Sequence, residues 1–302
     1  MFACTQVTLL THKIKQSVLS SQGLLYLWPI FNTWLQRMTD ANESIKSVEK
    51  PKRRAVGGQS LGARGIYLLP NLFTSAALFA GFFAIVQAMN GHFEQAAMAI
   101  FIAMVLDGLD GRVARMTNTQ SAFGAEYDSL SDMVSFGVAP ALILYVWALK
   151  PLGKLGWLAA FLYCACAALR LARFNTKLDD DYQDKRYFQG LPSPGAAALL
   201  AGFVWVSYEY GVSGRDVFFG ILQWKWMAWG LTVFAGASMV TDLRYYSGKD
   251  INLKRSVPFF VILAIMLLMV LVSYSPPEVL FFLMAAYALS GYLLWLRDKL
   301  KK

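Results

Sequence analysis

Residues 107–132 read DGLDGRVARMTNTQSAFGAEYDSLSD, and this stretch decides how the chain is understood. It places Asp107, Asp110, Asp128 and Asp132 inside sequence that otherwise has the character of lipid-embedded helix. An ionisable residue within a membrane is costly and marks a functional site by default. Four carboxylates close together repel each other or take up protons unless a cation neutralises them. The first expectation is therefore a divalent metal site.

The spacing supports it. Asp107, Asp110 or Gly111, and Ala114 follow the i, i+3/i+4, i+7 rhythm of one helix face. Gly124, Asp128 and Asp132 follow i, i+4, i+8 on the next helix. Between them, MTNTQSAF is polar and short enough for a tight helix–helix connection. Two antiparallel helices then present two carboxylates each to a common cleft. Gly111, Ala114 and Gly124 leave that face without bulk, so a planar base or a diphosphate can lie against the backbone. Taken singly, each glycine reads as close helix packing; beside four acids in register, the site reading takes precedence.

Outward from this core, the chain has 302 residues, 57% of them hydrophobic and 16% charged. A soluble domain carries about 25% charged residues. The composition excludes a disordered chain and argues against an ordinary globular one. The three cysteines, Cys4, Cys164 and Cys166, form no disulfide framework and read as small apolar packing residues. Two histidines are too few for a histidine-rich metal site, so any metal is held by oxygen, which favours Mg²⁺ or Mn²⁺. The net charge of +9 suits an anionic membrane surface, because the basic residues gather beside apolar segments and form no separate basic domain. No nucleic-acid partner is expected.

Apolar runs of spanning length fall near 72–89, 94–112, 125–149, 154–173, 192–211, 226–243, 257–275 and 278–296. The expected fold is an all-α integral membrane bundle of about eight transmembrane helices. With the amino terminus inside, the cytoplasmic connections carry Arg112, Arg115, Arg170, Arg173, Lys177, Lys185, Arg186, Arg244, Lys249, Lys254 and Arg255, and the tail adds Arg297, Lys299, Lys301 and Lys302. The outer connections carry only Lys150, Lys154, Arg215 and Lys225. That asymmetry puts both ends and the aspartates on the cytoplasmic side.

Three segments are expected: a leader over 1–64, a core over 65–250, and terminal transmembrane helices with a basic tail over 251–302. Within the leader, QGLLYLWPIFNTWL (22–35) is apolar, too short to span, and broken by Pro29. It is either an interfacial anchor or sequence preceding a natural start at Met38.

The string Asp107-Gly108-x-Asp110-Gly111-x-x-Ala114-Arg115, eight residues, Gly124-x-x-x-Asp128-x-x-x-Asp132 resembles the signature of the CDP-alcohol phosphatidyltransferases at every signature position. LPNLFTSAALFAGFFAI (69–85), SDMVSFGVAPALILY (131–145), ALRLARFN (168–175), FQGLPSPGAAA (188–198) and ASMVTDLRYYSGKD (237–250) resemble the integral-membrane phosphatidylserine synthase branch. The resemblance implies a helical membrane bundle, usually a homodimer, in the bacterial inner (cytoplasmic) membrane. It implies CDP-diacylglycerol and L-serine as substrates, with phosphatidylserine and CMP as products. It assigns Asp107, Asp110 and Asp128 to metal, and Asp132 to a second metal and to general-base catalysis. It assigns Gly111, Ala114 and Gly124 to the nucleotide side of the cleft; Arg115 either steadies a phosphate or is a positive-inside anchor.

Other candidates come from position. Asn71 and Thr74, one turn apart after Pro70, can hydrogen-bond the diphosphate or cytosine; the plainer reading is a helix cap and a back-bonded threonine. Arg170 and Arg173, three apart at a span end, can both face the cleft and offer a guanidinium fork to a carboxylate; the plainer reading is a snorkelling anchor. Ser131 lies beside the aspartate face and is a candidate substrate contact. Enzymes that use glycerol-3-phosphate, inositol or choline share the four aspartates. A cation transporter is a different class, and it spreads its acids along a pore rather than clustering them at one surface.

Overall fold

A computed structural model describes residues 61–117, 119, 121–177, 187–214, 216–218, 222–246 and 259–300. The leader up to residue 60, with both readings of the segment around Met38, lies outside the described residues. Those residues form eight helices: α1 (Leu61–Met89), α2 (Phe93–Thr117), α3 (Ala122–Leu152), α4 (Lys154–Lys177), α5 (Ser193–Glu209), α6 (Trp224–Val240), α7 (Phe259–Tyr274) and α8 (Pro276–Leu300). Two short antiparallel pairs join them, β1 (Tyr187–Gln189) with β4 (Arg244–Tyr246) and β2 (Val217–Phe218) with β3 (Leu222–Gln223).

Each apolar run read from the sequence is centred on one helix, with a few residues at some ends falling outside it. Four helical stretches are long and apolar enough to cross a membrane: Leu69–Met89, Ala122–Leu152, Lys154–Thr176 and Pro276–Leu300. Helices α5 and α6 have 17 residues each and α7 has 16, shorter than the roughly 20 that a bilayer asks for. Helix α2 has the length, with 25 residues, but its last turns carry the carboxylates and arginines.

Helix α3 shows how local chemistry bends a rod. Pro140 has no N–H to offer the carbonyl four residues back, and its ring crowds that carbonyl. The chain answers with a π-helical turn at Met133–Val138; a second π-helical turn follows at Tyr145–Leu149. The Phe136 carbonyl, which an ordinary residue at 140 would serve, accepts instead from the buried Tyr163 hydroxyl at 2.9 Å.

Helix α1 crosses α3 closely because Gly81 has no side chain. A Cβ there would come within 2.7 Å of the Ser135 Cα. Small residues allow such backbone approach between membrane helices. Two serines one turn apart then bridge the pair: Ser131 donates to Thr74 O at 3.2 Å and Ser135 donates to Ala77 O at 3.1 Å. Helix α5 sits at the centre against α2, α3, α6 and α8, buried along most of its length. An all-apolar helix without a polar face fits that position. By contrast, α7 is apolar yet exposed along its described length, a surface that suits lipid rather than water.

Candidate active site

Helices α2 and α3 supply two aspartates each to one place. Carboxylate oxygens of Asp107, Asp110 and Asp128 lie within 4.8 Å of one another. Asp132 reaches the Asp107 carboxyl, and Asp128 reaches that of Asp110. At an effective dielectric near 20, two unit charges about 5 Å apart repel by roughly 3 kcal/mol. Several such pairs in one cluster call for a compensating cation.

The residues fit one. The donors are all carboxylate oxygens, the ligand type that hard divalent cations select. Asp128 Oδ1 is buried and has no hydrogen-bond partner. An acceptor left so costs about 1–3 kcal/mol, and a cation in the cluster would remove that deficit.

The cleft beside the acids holds about 350 Å³, within the range of small-ligand sites. Helix α1 gives it Pro70, Asn71 and Thr74; α2 gives Asp110, Gly111, Ala114 and Arg115; α3 and the turn before it give Thr119, Ser121, Gly124, Ala125 and Asp128. A Cβ added at Gly111 would meet nothing within 4 Å, so that backbone faces open space. At Gly124 a Cβ would meet Ser121 Oγ at 3.1 Å and Asn71 Oδ1 at 3.4 Å. The missing side chain there lets Asn71 lie over the first turn of α3.

Asn71 is not a helix cap, because α1 starts at Leu61 and runs through Pro70. Thr74 is back-bonded and lines the cleft, and it has a partner that the sequence did not show. Its hydroxyl lies 3.2 Å from Pro70 O, and it donates to Asp110 Oδ2 at 2.7 Å. It therefore orients a carboxylate of the cluster from a different helix, as outer-shell partners of metal ligands commonly do.

The remaining expectations separate. Ser131 is buried, donates to α1, and does not line the cleft; it packs α3 on α1. The two arginines do not share a target. Arg170 donates from Nη1 to Ser193 Oγ at 2.7 Å, lies close enough to Asp132 for their charges to interact, and keeps Nε buried without a partner. Arg173 is committed elsewhere, in an ion pair with Asp242 and a 3.0 Å hydrogen bond to Gln189 Oε1. The expectation that both face the cleft is corrected for Arg173, whose guanidinium is held by the β1–β4 region.

Three polar residues were overlooked. Ser121 caps α3, accepting from Gly124 N at 3.0 Å. A serine just before a helical run is a readable cap signal. Thr119 is buried in the connection, its hydroxyl 2.7 Å from that of Thr117, and no local pattern marks it. Ser193 lay in the Gly-Leu-Pro-Ser-Pro segment without being singled out.

Fold and cleft together define a helical protein of membrane character with a carboxylate cluster beside a ligand-sized recess. Residues 67–234 match the CDP-alcohol phosphatidyltransferase family, and the chain belongs to it. The family is generally dependent on a divalent metal. A CDP-diacylglycerol–serine O-phosphatidyltransferase of Helicobacter pylori is 37% identical over 233 residues, covering 76% of this chain and 92% of that protein. One from Methanocaldococcus jannaschii is 34% identical over 200 residues, covering 66% and 83%. One from Mycobacterium bovis is 44% identical over 160 residues, covering 51% and 55%.

Proposed function

We propose that this chain transfers the phosphatidyl group of CDP-diacylglycerol to L-serine, giving phosphatidylserine and CMP. The observation that carries the chemistry is the aspartate cluster, two of whose members, Asp110 and Asp128, line the glycine-faced cleft. The acceptor follows from the relatives, whose names specify serine.

The serine hydroxyl oxygen forms a bond to the phosphorus that bears the diacylglycerol. The bond from that phosphorus to the CMP oxygen breaks, and CMP leaves with the electron pair. Such displacements depend mostly on positioning and electrostatics. Asp107, Asp110 and Asp128 would hold Mg²⁺ or Mn²⁺, with Asp132 reaching a second ion; when bound, the metal neutralises the diphosphate and the leaving phosphate. Asp132 takes the proton from the serine hydroxyl, a role worth about 10²–10⁴ in rate.

Gly111, Ala114 and Gly124 let the nucleotide lie against backbone, with Asn71 at its edge and Arg115 at a phosphate. Thr74 acts through Asp110. Arg170 receives the serine carboxylate, supported by its proximity to Asp132 and by its buried, unpartnered Nε, a donor awaiting an acceptor. Ser131 and Arg173 are assigned to packing and to the strand region.

The same reading takes all eight helices as spans, with the shorter ones serving as buried or tilted elements. It takes the aspartates as cytoplasmic, in a bacterial inner membrane, with residues 65–250 as the catalytic core, 251–302 as terminal helices and tail, and a homodimer as the assembly. The Lys and Arg asymmetry supports the orientation, and the exposed apolar α7 supports the lipid surroundings. The test is CMP release from CDP-diacylglycerol across a panel of labelled alcohols. Phosphatidylserine as the dominant product supports the proposal. A preference for glycerol-3-phosphate or inositol overturns the acceptor and keeps the chemistry.

A further inference from the structure

We propose that Ser193 is a positioning residue for the acceptor site, fixing the Arg170 guanidinium, and that the segment 187–192 is the strap that sets where Ser193 stands. The inference rests on the reading of Arg170 as the group that receives the serine carboxylate.

An arginine side chain has several rotatable bonds and loses its rotamer freedom only when something holds it. Here one hydrogen bond does so. Arg170 Nη1 donates to Ser193 Oγ at 2.7 Å, and Ser193 is fully buried at the first residue of α5. Nε of the same guanidinium is buried with no partner. One edge of the fork is thus anchored to protein while another donor stays unpaired. Ser193 Oγ accepts from Arg170, and the cap position before it is Pro192, which has no side-chain polar group.

The position of Ser193 is itself over-determined. Strand β1 pairs with β4 in the register Tyr187↔Tyr246, Phe188↔Tyr245 and Gln189↔Arg244. Gly190 N then donates to Leu243 O, and Leu191 N to Ser238 O, both at 2.9 Å. Gly190 has φ +76°, and a Cβ there would lie 3.0 Å from the Met239 carbonyl carbon and from Thr241 O. A side chain is therefore strained on two counts. Leu191 is fully buried, and Pro192 and Pro194 stiffen both sides of Ser193. Arg173 completes the clamp, since it holds Gln189 of β1 and Asp242 before β4 at once. The two arginines of α4 thereby divide the work: one faces the acceptor and the other secures the strap that steadies it.

The experiment is steady-state kinetics of the full-length protein in mixed micelles. KM and kcat are measured separately for L-serine and CDP-diacylglycerol, along with the preference for L-serine over ethanolamine, which lacks the carboxylate. Ser193→Ala is expected to raise KM for L-serine by roughly tenfold, the scale of a lost hydrogen bond to a charged group. KM for CDP-diacylglycerol should stay within about twofold, and the preference over ethanolamine should narrow by a similar factor. Ser193→Thr keeps the hydroxyl and should restore the serine KM. Ser193→Cys keeps the volume with a weaker acceptor and should fall between, which decides the matter if the alanine variant does not fold.

An unchanged serine KM in the alanine and cysteine variants overturns the inference, as does an equal loss for both substrates. Arg170→Gln separates the two levels. A raised serine KM in that variant with a normal one in Ser193→Ala removes the positioning role alone. A normal serine KM in Arg170→Gln removes the reading of Arg170 and this inference with it.

Discussion

Replacing Thr74 by valine removes one hydroxyl and almost no volume, and the structure says what that hydroxyl does. It donates to Asp110 Oδ2 at 2.7 Å from a buried position on α1, while Asp110 belongs to α2. A hydrogen bond to a charged group is worth about 1.5–3 kcal/mol. Loss of an outer-shell partner typically costs about 10–100-fold in metal affinity. Both figures place the Thr74→Val effect at one to two decades in the metal requirement. The assay is initial-rate CMP release against free Mn²⁺, with both substrates saturating. The half-saturating Mn²⁺ concentration should rise by about 10–100-fold, and most of kcat should return at high Mn²⁺, since the carboxylate ligands remain. An unchanged Mn²⁺ dependence would refute the reasoning. A loss that Mn²⁺ cannot relieve would instead place the hydroxyl on the substrate.

Asp132→Asn should bind CDP-diacylglycerol with Mn²⁺ yet lose about 10²–10⁴ in turnover; near-normal turnover removes Asp132 from the role of base. Gly111→Ala should fold normally, because its Cβ meets open space, but should raise KM for CDP-diacylglycerol, read from lipid titrations. Gly81→Ala should do the reverse. Its Cβ would press on the Ser135 backbone, and overpacking of this kind costs about 1–3 kcal/mol, seen as a lower midpoint of thermal unfolding in detergent. Asp242→Asn should weaken the strap through Arg173 and raise KM for L-serine less than Ser193→Ala does, since the pair is largely exposed.

The aspartate face was legible because helical periodicity alone fixes which residues share a side. Asp107 with Asp110, and Asp128 with Asp132, needed no tertiary information beyond a short turn between two helices. Eight apolar runs likewise gave eight helices, since lipid-like hydropathy is a property of each segment by itself. What escaped depended on partners distant in the chain. Thr74 meets Asp110 36 positions away, Arg170 meets Ser193 23 away, and Arg173 meets Asp242 69 away. Three-residue spacing said that the two arginines lie on similar sides of α4, but not which carboxylate or hydroxyl waits at each level. Ser131 misled for the same reason. Beside the acids in sequence, it turns its hydroxyl to the α1 backbone.

The first π-helical turn of α3 had a visible cause in Pro140, although the rescue of the Phe136 carbonyl by Tyr163 did not. The start of α1 at Leu61 was hidden by Pro70, which reads as a helix opener and here sits inside one.

The most direct measurement is the stoichiometry of a single reaction with the purified protein: CMP released and phosphatidylserine formed from CDP-diacylglycerol and labelled L-serine, with Mn²⁺ present and then with it chelated. The account expects one phosphatidylserine for each CMP, silence under chelation, and recovery when metal is returned. Phosphatidylserine made at full rate without a divalent ion, or CMP released with serine left unconsumed, would contradict it.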